Sequence, residues 1–315
     1  MTPLPLTPPI RRILCAVDFA RQSKAAARYA AMLAERTGAR LGLAHIIGGA
    51  PDLYRLAEGG DLLSLPEHET LMEDWLSEAQ LQLDELSADL PHPSDRNIVG
   101  HGVVVPTLIE CATDFDADLL VVGSHGRGWF ERALLGSVSE GLVREALMPV
   151  TVVRIAATLP GPARPVVCGV DFSPASIRAA TWAARQAESL DAPLHLVHVL
   201  PHLDRLWMPL EAAGLHQPQL DDVAIMETLR SRLAQIARRL PGDVVAVIER
   251  GGETDRLLAA AERLAASSIV VGSHGRSGFA RARIGTVAQR LVRHAPITVT
   301  VVRAPPLDWP ERAAA

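Results

Sequence analysis

Short apolar runs alternate along the chain with longer segments whose apolar residues recur at helical spacing. In the first half, the apolar runs predict strands at Ile13–Val17, Leu41–Ile47, Asn97–Val104, Leu119–Val122 and Val150–Ile155. The segments between them predict helices at Lys24–Arg36, Glu67–Leu90, Thr107–Thr113 and Ser137–Leu147. Apolar strands that are separated by helices are typical of a parallel sheet covered on both faces. The pattern therefore predicts a doubly wound α/β domain.

The pattern of the first half returns in the second half. Arg12–Phe19 and Leu43–Ile46 have counterparts 153 positions later, and Val121–Arg127 and Gly136–Val138 have counterparts 149 positions later. The second copy is therefore shorter in the variable stretch between these segments, which carries Tyr54 in the first copy. Self-similarity of this kind predicts two domains of one fold in tandem.

The domain boundaries follow from the repeat and from a segment rich in proline. We predict domains at residues 1–155 and 166–304, a linker at 156–165 and a tail at 305–315. The linker holds three prolines and one glycine, a composition that is typical of loops.

The last predicted strand of each copy has features of an unprotected sheet edge. Val150–Arg154 and Val299–Arg303 are apolar and have no lysine or internal proline, the residues that commonly protect an edge. We therefore predict that the two copies pair through these strands within one chain. The alternative is that helices cover both edges.

Composition and charge disfavour several classes of function. The net charge of −5 and the 4% of aromatic residues disfavour a nucleic-acid-binding protein, which would carry a basic face or stacking rings. The first twelve residues lack the apolar core of a signal peptide, and no apolar run reaches the ~18–20 residues of a membrane span. We therefore expect a soluble, cytoplasmic protein with no nucleic-acid or membrane partner.

The scarcity of lysine and cysteine restricts the candidate chemistry further. Lys24 is the only lysine, so a phosphate-binding lysine of the Walker type has almost no source. The turn after the first strand also lacks the Gly-x-Gly-x-x-Gly fingerprint of a dehydrogenase. Cys15, Cys111 and Cys168 are too few and too scattered for a disulfide framework or a zinc site. We predict no metal centre built from the protein's own side chains.

A glycine pattern that occurs once in each copy is the candidate site. The spacing Gly-x2-Gly-x9-Gly-Ser/Thr is formed by Gly123, Gly126, Gly136 and Ser137, and again by Gly272, Gly275, Gly285 and Thr286. Each pattern begins where a valine-rich strand ends and finishes where a helix starts. A helix start favours an anion through its free N–H groups and dipole, and glycine permits close approach of the backbone. The pattern therefore predicts a phosphate site in each copy.

An aspartate, Asp18 or Asp171, ends the first strand of each copy. Ligands of open parallel sheets bind beyond the carboxyl ends of the strands, where the strand order reverses. These carboxylates are therefore placed to accept hydrogen bonds from ribose hydroxyls or an adenine amine. Each feature also has a structural alternative: the aspartates as helix caps, the hydroxyls as helix caps, and His45 and His198 as packed side chains.

The glycine pattern, with Val-Asp-Phe at the first strand and Leu-x-His-Val/Ile at the second, resembles the universal stress protein family, twice over nearly the whole chain. The resemblance implies two five-stranded parallel sheets of order 3-2-1-4-5 and dimerisation through the last strand, including a homodimer. It also implies that ATP, with magnesium beside a triphosphate, is held by Asp18, Ile46, Gly123, Gly126, Arg127, Gly136, Ser137 and Ser139 in the first copy and by Asp171, Val199, Gly272, Gly275, Arg276, Gly285 and Thr286 in the second. Ile46 and Val199 would face the base.

Two departures from symmetry predict unequal sites. Ala288 stands where the first copy has Ser139, so one hydroxyl is missing from the second site. Trp129 stands where the second copy has Gly278, and its ring would either cover the phosphates or crowd them. These departures leave the order of the two affinities open.

The predicted function is adenine-nucleotide binding by a stress-response or regulatory protein with no fast catalysis. No carboxylate pair or histidine is tied by spacing to the phosphate loop as a general base, so we expect ATP hydrolysis to be slow at most. One alternative is an interaction or dimerisation module of the same family that binds no nucleotide. Another is an adenylating type of enzyme, which would need a metal site or a positioned base.

Overall fold

The computed structural model describes residues 9–48, 66–124, 136–155, 164–201, 222–274 and 284–303 of the 315. The described residues form two compact units, one over 10–155 and one over 164–303. The predicted linker falls mostly outside the described residues, and the domain boundaries and the pairing of the last strands stay predictions. In the part of the chain that is described, no helix is long and apolar enough to span a membrane.

The first unit is a five-stranded parallel sheet with helices between the strands. Its elements are β1 (Arg12–Ala16), α1 (Arg21–Thr37), β2 (Arg40–Gly48), α2 (Pro66–Ala88), β3 (Arg96–Gly102), α3 (Val104–Asp114), β4 (Leu119–Gly123), α4 (Ser137–Glu145) and β5 (Val150–Val153). The strand order is β3-β2-β1-β4-β5. This confirms the doubly wound α/β fold with the order 3-2-1-4-5.

The second unit repeats the same architecture. Its elements are β6 (Val166–Gly169), α5 (Pro174–Ser189), β7 (Leu194–Leu200), α6 (Asp222–Ala237), β8 (Val244–Arg250), α7 (Glu253–Arg263), β9 (Ser268–Gly272), α8 (Thr286–His294) and β10 (Thr298–Val302). Its strands are parallel in the order β8-β7-β6-β9-β10, which again reads 3-2-1-4-5.

Several predicted boundaries differ from the observed ones by a few residues, and two of them have local reasons. The strand predicted to run to Val104 ends at Gly102, whose φ of 134° is a conformation that side-chain-bearing residues rarely adopt. Val104 instead begins α3, because Pro106 in the first turn needs no N–H partner there. Helix α1 starts at Arg21 rather than Lys24, so its polar first turn lies ahead of the alanine-rich segment that predicted it.

The core of each unit lies between the sheet and a helix of small residues. Alanine is the commonest residue on the buried faces of α1 and α5, which also carry a few larger side chains such as Tyr29 and Trp182. Small side chains allow these helices to lie close to the sheet. Cys15 and Cys168 are fully buried free thiols in the central strands β1 and β6, and burial raises the pKa of both. They act as small apolar residues.

Candidate functional site

Asp18 lies just beyond the carboxyl end of β1 and organises the turn that leads into α1. Its Oδ1 accepts a hydrogen bond from the backbone N–H of Ala20 at 3.0 Å. Its own N–H donates to the hydroxyl of Ser23 at 3.2 Å, and that hydroxyl donates to the carbonyl of Ala20 at 3.1 Å. Asp18 is therefore held in a side-chain turn ahead of the helix, and Ala20 is the N-cap residue.

Asp171 makes the same turn in the second unit, with one more bond. Its Oδ1 accepts from the N–H of Ser173 at 3.0 Å and from the hydroxyl of Ser173 at 2.6 Å. The hydroxyl oxygen of Ser173 also accepts from the N–H of Ser176 at 3.2 Å, which caps α5. In the second unit, the serine rather than the aspartate is the helix cap, and it holds the aspartate.

The residue after each aspartate, Phe19 or Phe172, adopts a left-handed backbone conformation, with φ of 63° and 64°. This conformation costs a bulky residue about 1–3 kcal/mol and persists only where the surroundings hold it. The ring of Phe19 lies against His45 and that of Phe172 against His198, with centroids 4.6 Å apart in both pairs. Both phenylalanines entered the sequence-based prediction only as part of the Val-Asp-Phe motif and were given no role in the site; their repetition directly after a strand-end aspartate was the available signal.

His45 and His198 each form a hydrogen bond to the backbone at the end of the first strand of their unit, β1 or β6. Nδ1 of His45 donates to the carbonyl of Val17 at 2.7 Å, and Nδ1 of His198 donates to Val170 at the same distance. Because a carbonyl only accepts, the hydrogen resides on Nδ1 in both rings. Both histidines are packed, as the structural alternative predicted.

The first glycine of each pattern allows a strand to touch the backbone of a helix. A Cβ added at Gly123 would lie 2.9 Å from the carbonyl carbon of Gln22 in α1, and one at Gly272 would lie 2.7 Å from that of Ala175 in α5. No real Cβ makes contacts this short. The close approach that the glycine permits is therefore between the end of the strand and the backbone in the first turn of the following helix.

The later glycine of each pattern closes the base of the loop and begins a helix. Gly136 donates its N–H to the carbonyl of Ser124 at 2.8 Å, and Gly285 donates to Ser273 at 2.6 Å. Both glycines are N-cap residues, and no described side chain caps α4 or α8. Ser137 and Thr286 follow as the first helical residues, and both are exposed. The predicted residues Gly126, Arg127, Gly275 and Arg276, and also Trp129 and Gly278, lie outside the described residues.

Ser139 faces the interior of the first unit. Its side chain is 2% exposed, and its hydroxyl donates to the carbonyl of Gly123 at 2.6 Å. The bond ties the first turn of α4 to the end of β4. Ala288, its buried counterpart in α8, has no hydroxyl for such a bond. The first unit therefore has a hydrogen bond between helix and strand at this position, and the second unit lacks it.

Ile46 and Val199 lie near the carboxyl ends of β2 and β7 and are both 7% exposed. Ile46 is opposite Gly100 in the neighbouring strand, whereas Val199 is opposite Glu249. Glu249 forms an ion pair with Arg263 of α7 at 2.6 Å. The two units therefore present an apolar side chain at this position, isoleucine in the first and valine in the second, beside different neighbours.

Each unit thus gathers four elements at the carboxyl ends of its central strands. They are a strand-end aspartate held in a turn, a strained phenylalanine, a glycine in contact with a helix, and a helix start whose N-cap glycine is hydrogen-bonded to the residue that follows β4 or β9. The described residues contain no group of three or more metal-ligating side chains. This arrangement can offer a carboxylate acceptor and helix N–H donors to one polar, anionic ligand.

Comparisons with known proteins agree with this architecture. A universal stress protein of Mycolicibacterium smegmatis is 31% identical over 300 residues, which cover 92% of this chain and 96% of that protein. One of Mycobacterium tuberculosis is 35% identical over 205 residues, which cover 63% of this chain and 65% of that protein's length.

Solved structures with low sequence identity share the fold. A universal stress protein from Archaeoglobus fulgidus has a TM-score of 0.65 at 19% identity, covering 93% of this chain and 98% of that one. A functionally unknown protein from Pseudomonas aeruginosa has a TM-score of 0.56 at 18% identity, covering 93% and 92%. The Universal stress protein family model matches residues 9–154 and, a second time, residues 162–303. The chain therefore belongs to the universal stress protein family, which it matches once in each half.

Proposed function

We propose that each unit binds an adenine nucleotide, with ATP as the expected ligand, and that the protein acts by binding rather than by fast catalysis. The observation that carries this proposal is the repeated placement of a fixed carboxylate and an uncapped helix start at the carboxyl ends of neighbouring strands. Asp18 or Asp171 would accept from the ribose or the adenine amine. The N–H groups of α4 or α8 would face the phosphates. Magnesium would accompany a triphosphate through its phosphate oxygens.

Strain beside the aspartate supports a ligand role for this turn. Phe19 and Phe172 both hold a costly left-handed conformation, and such strain clusters at binding sites. The left-handed conformation sets the direction in which the chain leaves β1 or β6, and this direction determines where the carboxylate of Asp18 or Asp171 lies. A turn with only a packing role would be satisfied by glycine or asparagine at lower cost.

A second candidate function is an interaction module that binds no nucleotide. One observation favours it: Gly123 and Gly272 are explained by their contacts with Gln22 and Ala175. The first glycine of the pattern would therefore be retained even without a ligand. Substitution of these glycines cannot separate the two functions, because it would disturb the fold in either case.

The test is nucleotide binding by the full chain. The purified protein is denatured and the released small molecules are identified, and then the nucleotide-free protein is titrated with ATP and AMP by calorimetry. We expect bound adenine nucleotide and up to two sites per chain. Failure to bind any adenine nucleotide at millimolar concentration would overturn the proposal and favour the interaction module.

Aspartate variants test the assigned site directly. In Asp18→Asn and Asp171→Asn, the amide oxygen can still accept from Ala20 or Ser173, so the turn is retained. The second oxygen becomes an NH2 donor, which opposes a ribose hydroxyl or adenine amine donor. We expect each variant to lose one site and the double variant to lose both. Asp89→Asn, in the exposed turn after α2, is the matched control and should bind as the wild type does.

A further inference from the structure

Three buried polar side chains of the second unit have no hydrogen-bond partner among the described residues. They are Gln186 in the last part of α5, Ser268 at the start of β9 and Thr298 at the start of β10. Their exposed fractions are 2%, 1% and 0%. Each group therefore loses its hydrogen bonds to bulk water on folding and gains none from the described residues, which disfavours the folded arrangement at this place.

Two of these side chains lie on the face of the sheet that α5 covers. A Cβ added at Gly272 would contact Ala175 in the first turn of α5, so Gly272 faces this helix. Side chains of a strand alternate between the two faces, and Ser268, four residues earlier in β9, therefore has the same orientation. Thr298 is the register partner of Ser268 and shares its face.

The third side chain, Gln186, approaches the same end of the sheet from the helix. Helix α5 packs on β6, β9 and β10, and Gln186 belongs to its buried residues. From Ala175 to Gln186 the helix rises about 16 Å, and from Gly272 back to Ser268 the strand spans about 13 Å. The unsatisfied amide and the two unsatisfied hydroxyls therefore lie in one layer, at the amino ends of β9 and β10.

The first unit has apolar residues at the three corresponding positions, Leu33, Leu119 and Pro149. Leu33 and Leu119 are fully buried. Helix α1 packs on β4 and β5 as α5 packs on β9 and β10. The same contact between helix and sheet is therefore apolar at these positions in the first unit and polar in the second.

A buried cysteine beneath each helix provides a matched pair of internal probes. Cys168 is the register partner of Val270 and faces α5, and Cys15 is the register partner of Val121 and faces α1. Both thiols are fully buried, and burial raises the pKa of both. A thiol that is buried and protonated is inert, so reaction of either cysteine reports that the helix above it has opened.

We propose that the second unit contains a weak layer, in which α5 opens from the amino ends of β9 and β10 more readily than α1 opens from its own sheet, and that this opening exposes Cys168. In the open state, Gln186, Ser268 and Thr298 regain hydrogen bonds to water, which lowers the free energy of opening. Heat, or a thiol-reactive compound that traps Cys168, would therefore act on the second unit first. The opening starts at the end of the sheet opposite to Asp171 and does not depend on nucleotide binding.

The experiment is labelling of the full chain with N-ethylmaleimide under native conditions, with each cysteine quantified over time by peptide mass spectrometry. The partly exposed Cys111 is the reference for the reagent. We expect Cys168 to react at least about tenfold faster than Cys15, at a rate that changes little in low urea. Equal rates, or faster reaction of Cys15, would overturn the proposal. A steep rise of the Cys168 rate from the lowest urea concentrations would assign the reaction to global unfolding and overturn local opening.

Variants test whether the polar layer is the cause. The combined substitutions Gln186→Leu, Ser268→Ala and Thr298→Val remove the unsatisfied atoms with little change of shape. They should slow the labelling of Cys168 at least about tenfold and leave that of Cys15 unchanged. Gln186→Leu alone should have the same effect in part. Unchanged labelling of Cys168 in both proteins would show that the polar layer does not control the opening.

A reciprocal variant and a control complete the test. Leu33→Gln places an unsatisfied amide under α1 and should accelerate the labelling of Cys15. Glu188→Gln, at an exposed position near the end of α5, should leave both rates unchanged. Hydrogen exchange gives a second readout that needs no substitution: amides in the last turns of α5 should exchange faster than those of α1, and equal protection would contradict the proposal. Failure of the chain to bind nucleotide would not affect any of these results.

Discussion

The hydroxyl of Ser139 donates a hydrogen bond to the carbonyl oxygen of Gly123 at 2.6 Å. This bond connects α4, which follows the glycine loop, to β4, which precedes it. Replacing Ser139 by Ala would leave a buried carbonyl without this donor. We expect Ser139→Ala to lower the free energy of unfolding of the first unit by about 1–2 kcal/mol. Urea unfolding, with hydrogen exchange to assign the loss to residues 10–155, measures the change.

The same variant also checks whether Ser139 contacts the ligand. Because the hydroxyl proton is already donated to Gly123, ATP affinity should change less than threefold, or by under about 0.7 kcal/mol. A large loss of affinity with unchanged unfolding would instead assign the hydroxyl to the phosphate site. Ser137→Ala, at the exposed start of α4, is the matched comparison, and its stability should not change measurably.

Gly123 and Gly272 should be the least tolerant positions of the pattern among the described residues. A methyl group at either would lie within 3.0 Å of backbone atoms of α1 or α5, which cannot move without displacing the helix. We expect Gly123→Ala and Gly272→Ala each to reduce the free energy of unfolding by roughly 2–3 kcal/mol or to prevent folding. Urea unfolding followed by circular dichroism measures the loss.

Gly48→Ala is the control for the glycine variants. Gly48 is the exposed last residue of β2, and an added Cβ would meet only Val104 at an ordinary 3.5 Å. Its substitution should change stability by less than about 0.5 kcal/mol. Equal effects at Gly48 and Gly123 would show that the close approach to Gln22 is not the cause.

The sequence was sufficient for the fold because the fold depends on periodicity. Apolar runs such as Leu119–Val122 predict strands, and the alanine-rich segment of α1 predicts a helix. Because the sequence repeats, the same elements are predicted independently in each half of the chain. Boundaries were less accurate where one residue decides them. The conformation of Gly102 ends β3 before Val104, and no periodic signal carries that information.

The candidate site was only partly predictable, because spacing identifies residues but not their partners. The aspartates and glycines were found by their positions. The donor–acceptor pairs were not: Ser139 bonds to Gly123, and Ser173 bonds to Asp171. Both pairs depend on three-dimensional contacts between residues whose types are common at helix starts, so the sequence alone gives them a capping role.

Gln186 is an unfavourable residue in the core of the second unit. It is 2% exposed, and neither its amide nitrogen nor its amide oxygen has a partner among the described residues. Its counterpart in the first unit is Leu33, which is fully buried. We expect Gln186→Leu to raise the free energy of unfolding by about 1–3 kcal/mol, since an unsatisfied buried amide is replaced by an apolar group of similar size. Chemical unfolding of the full chain measures the gain.

Gln82→Leu provides the comparison for this stabilising change. Gln82 is only partly buried in α2 and donates to Glu78 at 3.1 Å, so its replacement should change stability by no more than about 0.5 kcal/mol. A loss of stability in Gln186→Leu would mean that ordered water satisfies the amide in solution.

His195 makes the stability of the second unit depend on pH. Burial lowers the pKa of His195 below its ordinary 6.5; Arg263 contributes in the same direction and Asp243 opposes it. Its Nδ1 is buried without a partner in the described part of the chain. As the pH falls through about 6.5, the unfolded chain takes up a proton that the folded chain resists. Stability attributable to His195 is therefore present above this pH and is lost below it.

The measurement compares urea unfolding at pH 7.5 and pH 5.5 for the wild type and for His195→Gln. A single proton limits the slope to about 1.4 kcal/mol per pH unit. We expect the wild type to lose up to about 1 kcal/mol more than the variant across this interval. Other titrating groups are common to both proteins and cancel in the difference. His101→Gln, at an exposed position in β3, should keep the wild-type pH dependence, and an equal effect at His101 would exclude burial of His195 as the cause.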